Sequence, residues 1–383
     1  MNRVLLRTSV ALVLLAAAVL VVWRVLAPAE VLASATTPYP PISLRPPAVT
    51  GRTNLAPLVV DGRLRVYATK HQVKADGPVD GQTLYTARWS FRRWPEQLSG
   101  VAARGATVIT RWSDGELVAI DARTGKITWR QDGPDAPGYA GHRTGAAAVW
   151  TPPGLRLAAG TVVVTADQNL VGYDLSTGAV RWRISTPPGC AEGFTTSGGA
   201  YVCATGAYDV ESGVAIADWP AGPFEPIGCD SGGSDCAAFR DCAGQGRFAD
   251  SAVLRRVPAL DAAGATVAAG VIVTASDAAV SARSAEGEEL WSRSGAARIL
   301  GGTSANVVLL TAGNTLVAVN ARTGVEAYSF PLAYGTEKTE WRPGGYRLAG
   351  RFLAMERLNV DAPDDPESPI YYLTLDTVII AAL

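Results

Sequence analysis

Few residues in this chain have the type and spacing that chemistry requires. The histidines are His71 and His142 alone. Neither has a His, Cys or Asp at metal-ligand spacing, so no metal or acid–base role is expected of them, and no Ser/His/Asp set assembles around them. Asp361, Asp364, Asp365 and Glu367 lie close together near the C-terminus. They lack the Asp/Asn ladder and turn glycine of a calcium loop and read as a solvated acidic loop. Ser231-Gly232-Gly233-Ser234 has no lysine or following helical pattern that would make a phosphate cradle. Arg240 and Arg247 read as surface charges. The residues by themselves therefore suggest no catalytic group, no metal and no cofactor.

The five cysteines, Cys190, Cys203, Cys229, Cys236 and Cys242, carry structural information instead. Cys190 and Cys203 bracket a Gly-rich hairpin and suit one short bridge. The other three share one stretch that suits a second bridge and leaves an odd thiol, with the choice among them open. All five follow the expected N-terminal anchor and so would lie in an oxidising compartment, where disulfides persist.

The elements that organise the chain are copies of one hairpin. Glu116 to Trp129 returns as Asn169 to Trp182 and as Thr315 to Tyr328, with weaker copies around Asp209–Gly213 and Arg283–Trp291. Each copy has a short apolar strand, a tight turn and a second strand bearing an aromatic. Gly125, Gly178, Gly213, Gly287 and Gly324 suit a positive-φ turn position, and Asp121, Asp174, Asp209 or Asn320 can cap the turn's own N–H groups. After the turn, Val180, Trp182 and Ile184 alternate with Arg181 and Arg183, which puts the apolar three on one strand face. Trp129, Trp182, Trp291 and Tyr328 read as packing residues between copies. Such units cannot bury their faces alone, so they must stack. The expected fold is all-β: a single propeller of about seven four-stranded blades, with eight also compatible.

The hairpins resemble the repeats of the pyrroloquinoline-quinone (PQQ)-like propeller superfamily, whose pattern is Ala-x-Asp-x-x-Thr-Gly-x-x-x-Trp. Ala119 to Trp129 matches every defined position, and Gly172 to Trp182 departs only at the first. Asn320 with Tyr328, Arg283 with Trp291, and Asp209 with Ala217 in the tryptophan's place depart further. The resemblance covers roughly residues 55 to 383. It implies a tryptophan-docked propeller and either of two functions, a quinoprotein dehydrogenase or a non-catalytic scaffold similar to those of outer-membrane assembly. Dehydrogenases of the superfamily would hold the quinone in the central channel with a catalytic Asp, calcium ligands and commonly two adjacent cysteines. No two cysteines are adjacent here.

Charged residues make up 18% of the chain and the net charge is −1, which indicates neither long disorder nor a nucleic-acid footprint. Residues 1–7 read as a short cytoplasmic N-terminus and residues 8–27 as a signal-anchor helix. Thr8 to Trp23 carries no charge, and Arg3 and Arg7 precede it, which predicts a single-pass plasma-membrane protein with its N-terminus inside. The competing reading is a cleaved signal peptide ending at Ala33-Ser34-Ala35. Residues 28–57, rich in proline, read as an extended linker, and residues 58–383 as the propeller. Three long segments, Asp132 to Leu157, Gly222 to Ala249 and Asn359 to Ser368, read as face loops where partners would bind. The function expected is a membrane-anchored, extracytoplasmic, non-catalytic scaffold for cell-envelope proteins. The alternative is a PQQ-dependent oxidoreductase.

Overall fold

The computed structural model describes residues 12–18, 29–81, 86–166, 168–230, 232–251 and 253–383. Residues 12–18 are helical, and the rest of the expected anchor helix 8–27 lies outside the described residues. Among the described residues no helix is long and apolar enough to cross a membrane.

The strands form eight antiparallel sheets, the blades of one propeller. Seven units were expected, with eight compatible. The extra one is the stretch Gly222 to Ala249, read from sequence as a loop. Its strands Glu225–Ile227, Ala238–Arg240 and Gly246–Phe248, with Arg255–Arg256, make blade five. Strands of two or three residues are too short to show an alternating pattern, and so the stretch looks like a loop in sequence. Arg240, expected on the surface, is buried there. Its Nη1 donates to the carbonyls of Leu260, Ala262 and Ala265, and its Nε donates to Glu225 at 2.9 Å. Arg247 is half-buried and pairs with Asp241. Blade four has three strands, Gly193–Thr195, Ala200–Cys203 and Gly206–Asp209.

The Pro-rich stretch 28–57, expected as a linker, contributes two strands. Ala29–Ala33 pairs with Ala87–Trp94 as a fifth, outermost strand of blade one. Ala48–Thr53 pairs with Val378–Ala382 and completes blade eight from the other end of the chain. Between them the chain runs along blade one. There Arg88, buried, donates to the Thr37 and Pro38 carbonyls at 2.8 Å, and Arg63 donates to the Pro40 carbonyl. Proline gives such a stretch the composition of a linker, while the carbonyls it presents are what bind it down. The propeller thus begins at Ala29 and not at Leu58.

First strands of neighbouring blades touch around the central axis. Two faces result. The hairpin face carries the turns between first and second and between third and fourth strands. The loop face carries the remaining turns and the connections between blades.

The repeated hairpin explains how blades join. In each clear copy the fourth strand carries a β-bulge just before its aromatic. Ala119 pairs with Trp129 while Ile120 pairs with Ile127, and Gly172 pairs with Trp182 while Tyr173 pairs with Val180. The bulge breaks simple alternation, which is why Val180 is exposed instead of sharing the buried face of Trp182. It also aims the indole sideways at the next blade. Trp89 Nε1 donates to the Ala122 carbonyl, Trp129 to Leu175, Trp182 to Val210 and Trp291 to Ala321, at 2.8–3.0 Å.

Each indole lies against the turn glycine of that next blade. A Cβ on Gly125 would fall 2.3 Å from Trp89, on Gly178 2.6 Å from Trp129, on Gly213 2.6 Å from Trp182 and on Gly324 2.7 Å from Trp291. These glycines also have φ between 68° and 75°. Gly287 differs. Its φ is 92°, yet nothing lies within 4 Å, because blade five has no tryptophan to dock there.

Trp182→Ala is expected to cost about 3–5 kcal/mol in denaturant unfolding, the usual result of emptying a buried aromatic site. Gly178→Ala should destabilise more than Gly287→Ala. Both force a side chain into positive φ, but only Gly178 has an indole against it. Equal losses in the two variants would show that the docking contact adds nothing.

Candidate functional site

The repeated acids sit in the turns. Asp121 accepts from the Arg123 N–H at 3.1 Å and from the Thr124 hydroxyl at 3.0 Å. Asp174 accepts from the Ser176 and Thr177 N–H groups, both at 2.9 Å, and from Arg181. The Ser176 hydroxyl and Arg181 together hold the Asp174 carboxyl well below the usual range. Asp209 and Asn320 cap their turns in the same way. None of these groups faces a cavity; they shape hairpins. Among the described residues Tyr328 reaches no carbonyl on the next blade, and its hydroxyl is buried without a partner there. The reason lies in the neighbour: blade eight takes its fourth strand from Ala48–Thr53, so it has no third-to-fourth turn to receive a docked ring.

The cysteines form two bridges, Cys190–Cys203 and Cys229–Cys236, and Cys242 is free and exposed. The first bridge ties the connection entering blade four to that blade's second strand. The second closes the loop between the first two strands of blade five. That loop puts Asp230 and Asp235 into a cavity of about 740 Å3 at the hairpin-face mouth of the channel. Asp235 pairs there with Arg104 from blade two. Burial raises the Asp235 carboxyl, and burial pushes Arg347, across the mouth from blade eight, down to about 10 while Asp230 opposes that fall.

The other end of the channel is filled. The segment from Asp132 to Leu157, expected as a face loop, crosses the loop face and descends into the axis. Tyr139 bonds by its N–H to Gln97 and His142 pairs with Glu367 of blade eight, inside the acidic loop. A short helix, Ala146–Trp150, follows. Trp150 Nε1 donates to the Pro57 carbonyl of blade one at 2.9 Å, while a Cβ on Gly232 of blade five would meet the Trp150 carbonyl at 2.4 Å. Blades one and five lie opposite each other in an eight-bladed ring, so Trp150 spans the axis. The crossing segment is locked by Thr144, whose hydroxyl donates to Glu356 Oε1 at 2.5 Å; the Gly345 N–H donates to Oε2 at 3.2 Å. Glu356 is buried among the described residues without a salt bridge, and burial raises its carboxyl above the usual range. His71 is peripheral, its Nδ1 bonded to the Glu96 carbonyl at 2.7 Å.

Because the folded-state value of Glu356 is raised, its ionisation opposes folding, and that penalty grows as pH rises through the folded value. Glu356→Gln mimics the protonated form. Its melting temperature relative to the parent is expected to be higher at pH 8 than at pH 4. A difference independent of pH would show that Glu356 does not titrate with folding.

A second, larger cleft opens on the loop face across blades two to five, with a volume of about 1420 Å3. The sequence reading missed two arginines in it, Arg111, buried, and Arg156, half-buried, and missed Trp89, Trp150 and Glu356. Trp89 was within reach, since it stands before a hairpin copy as Trp129 and Trp182 do. The others become neighbours only through the ring and have no local signal.

Residues 20–193, short of half the chain, match a family model described as outer membrane protein assembly factor BamB. No curated protein matches the chain. Similar solved structures include BamB from Moraxella catarrhalis, at 15% identity over 86% of this chain and 94% of that one, with a TM-score of 0.43. They also include a europium-containing methanol dehydrogenase, at 13% identity over 89% and 93%, with a TM-score of 0.44. The C-terminal WD40 domain of Sif2 is similar at 10% identity over 88% and 98%, with a TM-score of 0.47. The match over residues 20–193 and the tryptophan-on-glycine junctions make the propeller similar to the PQQ-like β-propeller repeat family.

Proposed function

We propose that this protein is a non-catalytic scaffold of the bacterial cell envelope, anchored by its N-terminal segment and binding other proteins through the loop face. The observation that carries this reading is the filled loop-face end of the channel. Trp150, held between blades one and five, occupies the axis where a quinoprotein needs its cofactor. Pyrroloquinoline quinone, the group the fold family implies, does not fit the loop-face end of the axis that Trp150 fills. Beyond the filled axis, the described residues contain no cluster of three or more His, Cys, Asp or Glu that could hold its calcium. On the loop face, the crossing segment and the acidic loop lie against each other through His142 and Glu367, giving one continuous raised surface for a partner.

The anchor rests on the uncharged run from Thr8 to Trp23 behind Arg3 and Arg7. Cleavage after Ala35 would strip blade one of its fifth strand, Ala29–Ala33.

Two measurements test the reading. Purified protein supplied with the quinone and calcium should retain no quinone absorbance after gel filtration; stoichiometric retention would favour the oxidoreductase. The protein should also stay in the membrane fraction through high-salt washing, since a span of this length inserts irreversibly. A soluble mature form starting at Thr36 would overturn the anchor.

A further inference from the structure

The large loop-face cleft has two arginines on its floor that form no salt bridge among the described residues. Arg111, from the second strand of blade two, donates through Nη1 to the Pro153 and Gly154 carbonyls at 3.2 and 3.1 Å. Its Nη2 donates to those of Pro134 and Asp135 at 3.3 and 3.1 Å. Arg156, from the first strand of blade three, donates through Nη1 to the Pro152 and Leu155 carbonyls at 2.5 and 3.0 Å and through Nε to Gly193 at 3.0 Å. Two guanidinium groups therefore grip one short segment, residues 152–155, and every bond ends on a neutral carbonyl. Among the described residues neither forms a salt bridge. Burial lowers both, Arg111 to about 10.

Arg111 has its Nε buried without a partner and its Nη atoms occupied, so it acts on a guest only through its charge. Arg156 Nη2 makes no hydrogen bond among the described residues and is the donor left for one. The acids nearby, Asp135 and Glu192, stand exposed on the rim; Glu192 offsets part of the effect of burial on Arg156, and water screens both acids. Arg111, buried, and Arg156, half-buried, each without a salt bridge among the described residues, favour an anion. The walls are apolar, with Pro137, Pro153, Pro223, Pro226, Phe194 and Phe224. At about 1420 Å3, the cleft exceeds the roughly 300–1,000 Å3 of small-molecule sites.

We infer that this cleft captures an extended acidic segment of a partner protein. One of its carboxylates bonds Arg156 Nη2, and the apolar residues beside it lie on the proline and phenylalanine walls. The inference rests on the scaffold reading and names the chemistry of its partner.

The test pans a display library of random twelve-residue peptides on the detergent-solubilised full chain. Selected peptides are expected to carry Asp or Glu flanked by apolar residues. Replacing that acid by its amide should weaken binding about tenfold or more, the worth of a charge-assisted hydrogen bond. Arg156 is a poor site for substitution because its bonds hold the segment in place. Gln168, exposed on the cleft's rim, is better: Gln168→Glu should weaken binding several-fold and Gln168→Lys should tighten it, with melting temperatures unchanged. Citrate, the free-anion probe, should fail to displace the peptide at equal concentration.

Neutral selected peptides, no enrichment at all, or displacement by citrate would each overturn the inference. Peptides indifferent to Gln168 that cross-link elsewhere would sink the cleft while leaving the scaffold reading intact. Quinone-dependent turnover would sink the scaffold reading itself.

Discussion

The ring depends on an indole N–H that reaches out of one blade to a backbone carbonyl in the next, with the indole's flat face against a glycine there. Each part of the repeated hairpin serves that contact. The Asp or Asn caps the turn so that its carbonyls point outward, the glycine leaves room for a ring, and the bulge rotates the tryptophan off its own sheet. The hydrogen bond adds about 1 kcal/mol, and burial of the aromatic adds more. Because blades bury little surface within themselves, these junctions hold the walls of the channel and both faces in register.

Where that contact is missing, the chain substitutes something else. Between blades four and five, Trp219 stacks on Phe239, with ring centroids 5.5 Å apart. Between five and six, Arg240 gathers three carbonyls beside the short helical turn at Pro258–Leu260. Between seven and eight, Leu300, Leu332 and Trp341 join an apolar cluster with Met355 and Ile379. The irregular half of the ring is thus held by individual solutions and the regular half by a repeated one.

This division sets what can be read from the sequence. Ala119 to Trp129 shows its turn, its cap and its docking residue in eleven consecutive letters, because all the interactions that shape it are local. Blade five shows none, because Glu225–Ile227 and Ala238–Arg240 are strands only by virtue of their partners. The strand Ala48–Thr53 is harder still, since its partner lies at the opposite end of the chain. The clefts follow the same rule. Arg111 and Arg156 belong to different blades and meet only around residues 152–155, and Thr144 finds Glu356 only because a connection from blade two crosses to blade eight. Local spacing carries the scaffold, and long-range geometry carries the clefts.

The closure through Ala48–Thr53 has a consequence for biogenesis. That strand is among the first made, and Val378–Ala382, which it must pair with, follows all seven other blades. Throughout synthesis one sheet edge waits with its backbone N–H and C=O groups unpaired, the condition under which strands join the wrong chain. Docked blades can accumulate in order, but the circle shuts in a single late step with a very long loop to close. A nascent copy is therefore a strip with two sticky ends until its last blade is complete, and crowded neighbours could exchange those ends. Shielding of the waiting strand until the ring closes is then a requirement set by topology, independent of what the finished propeller binds.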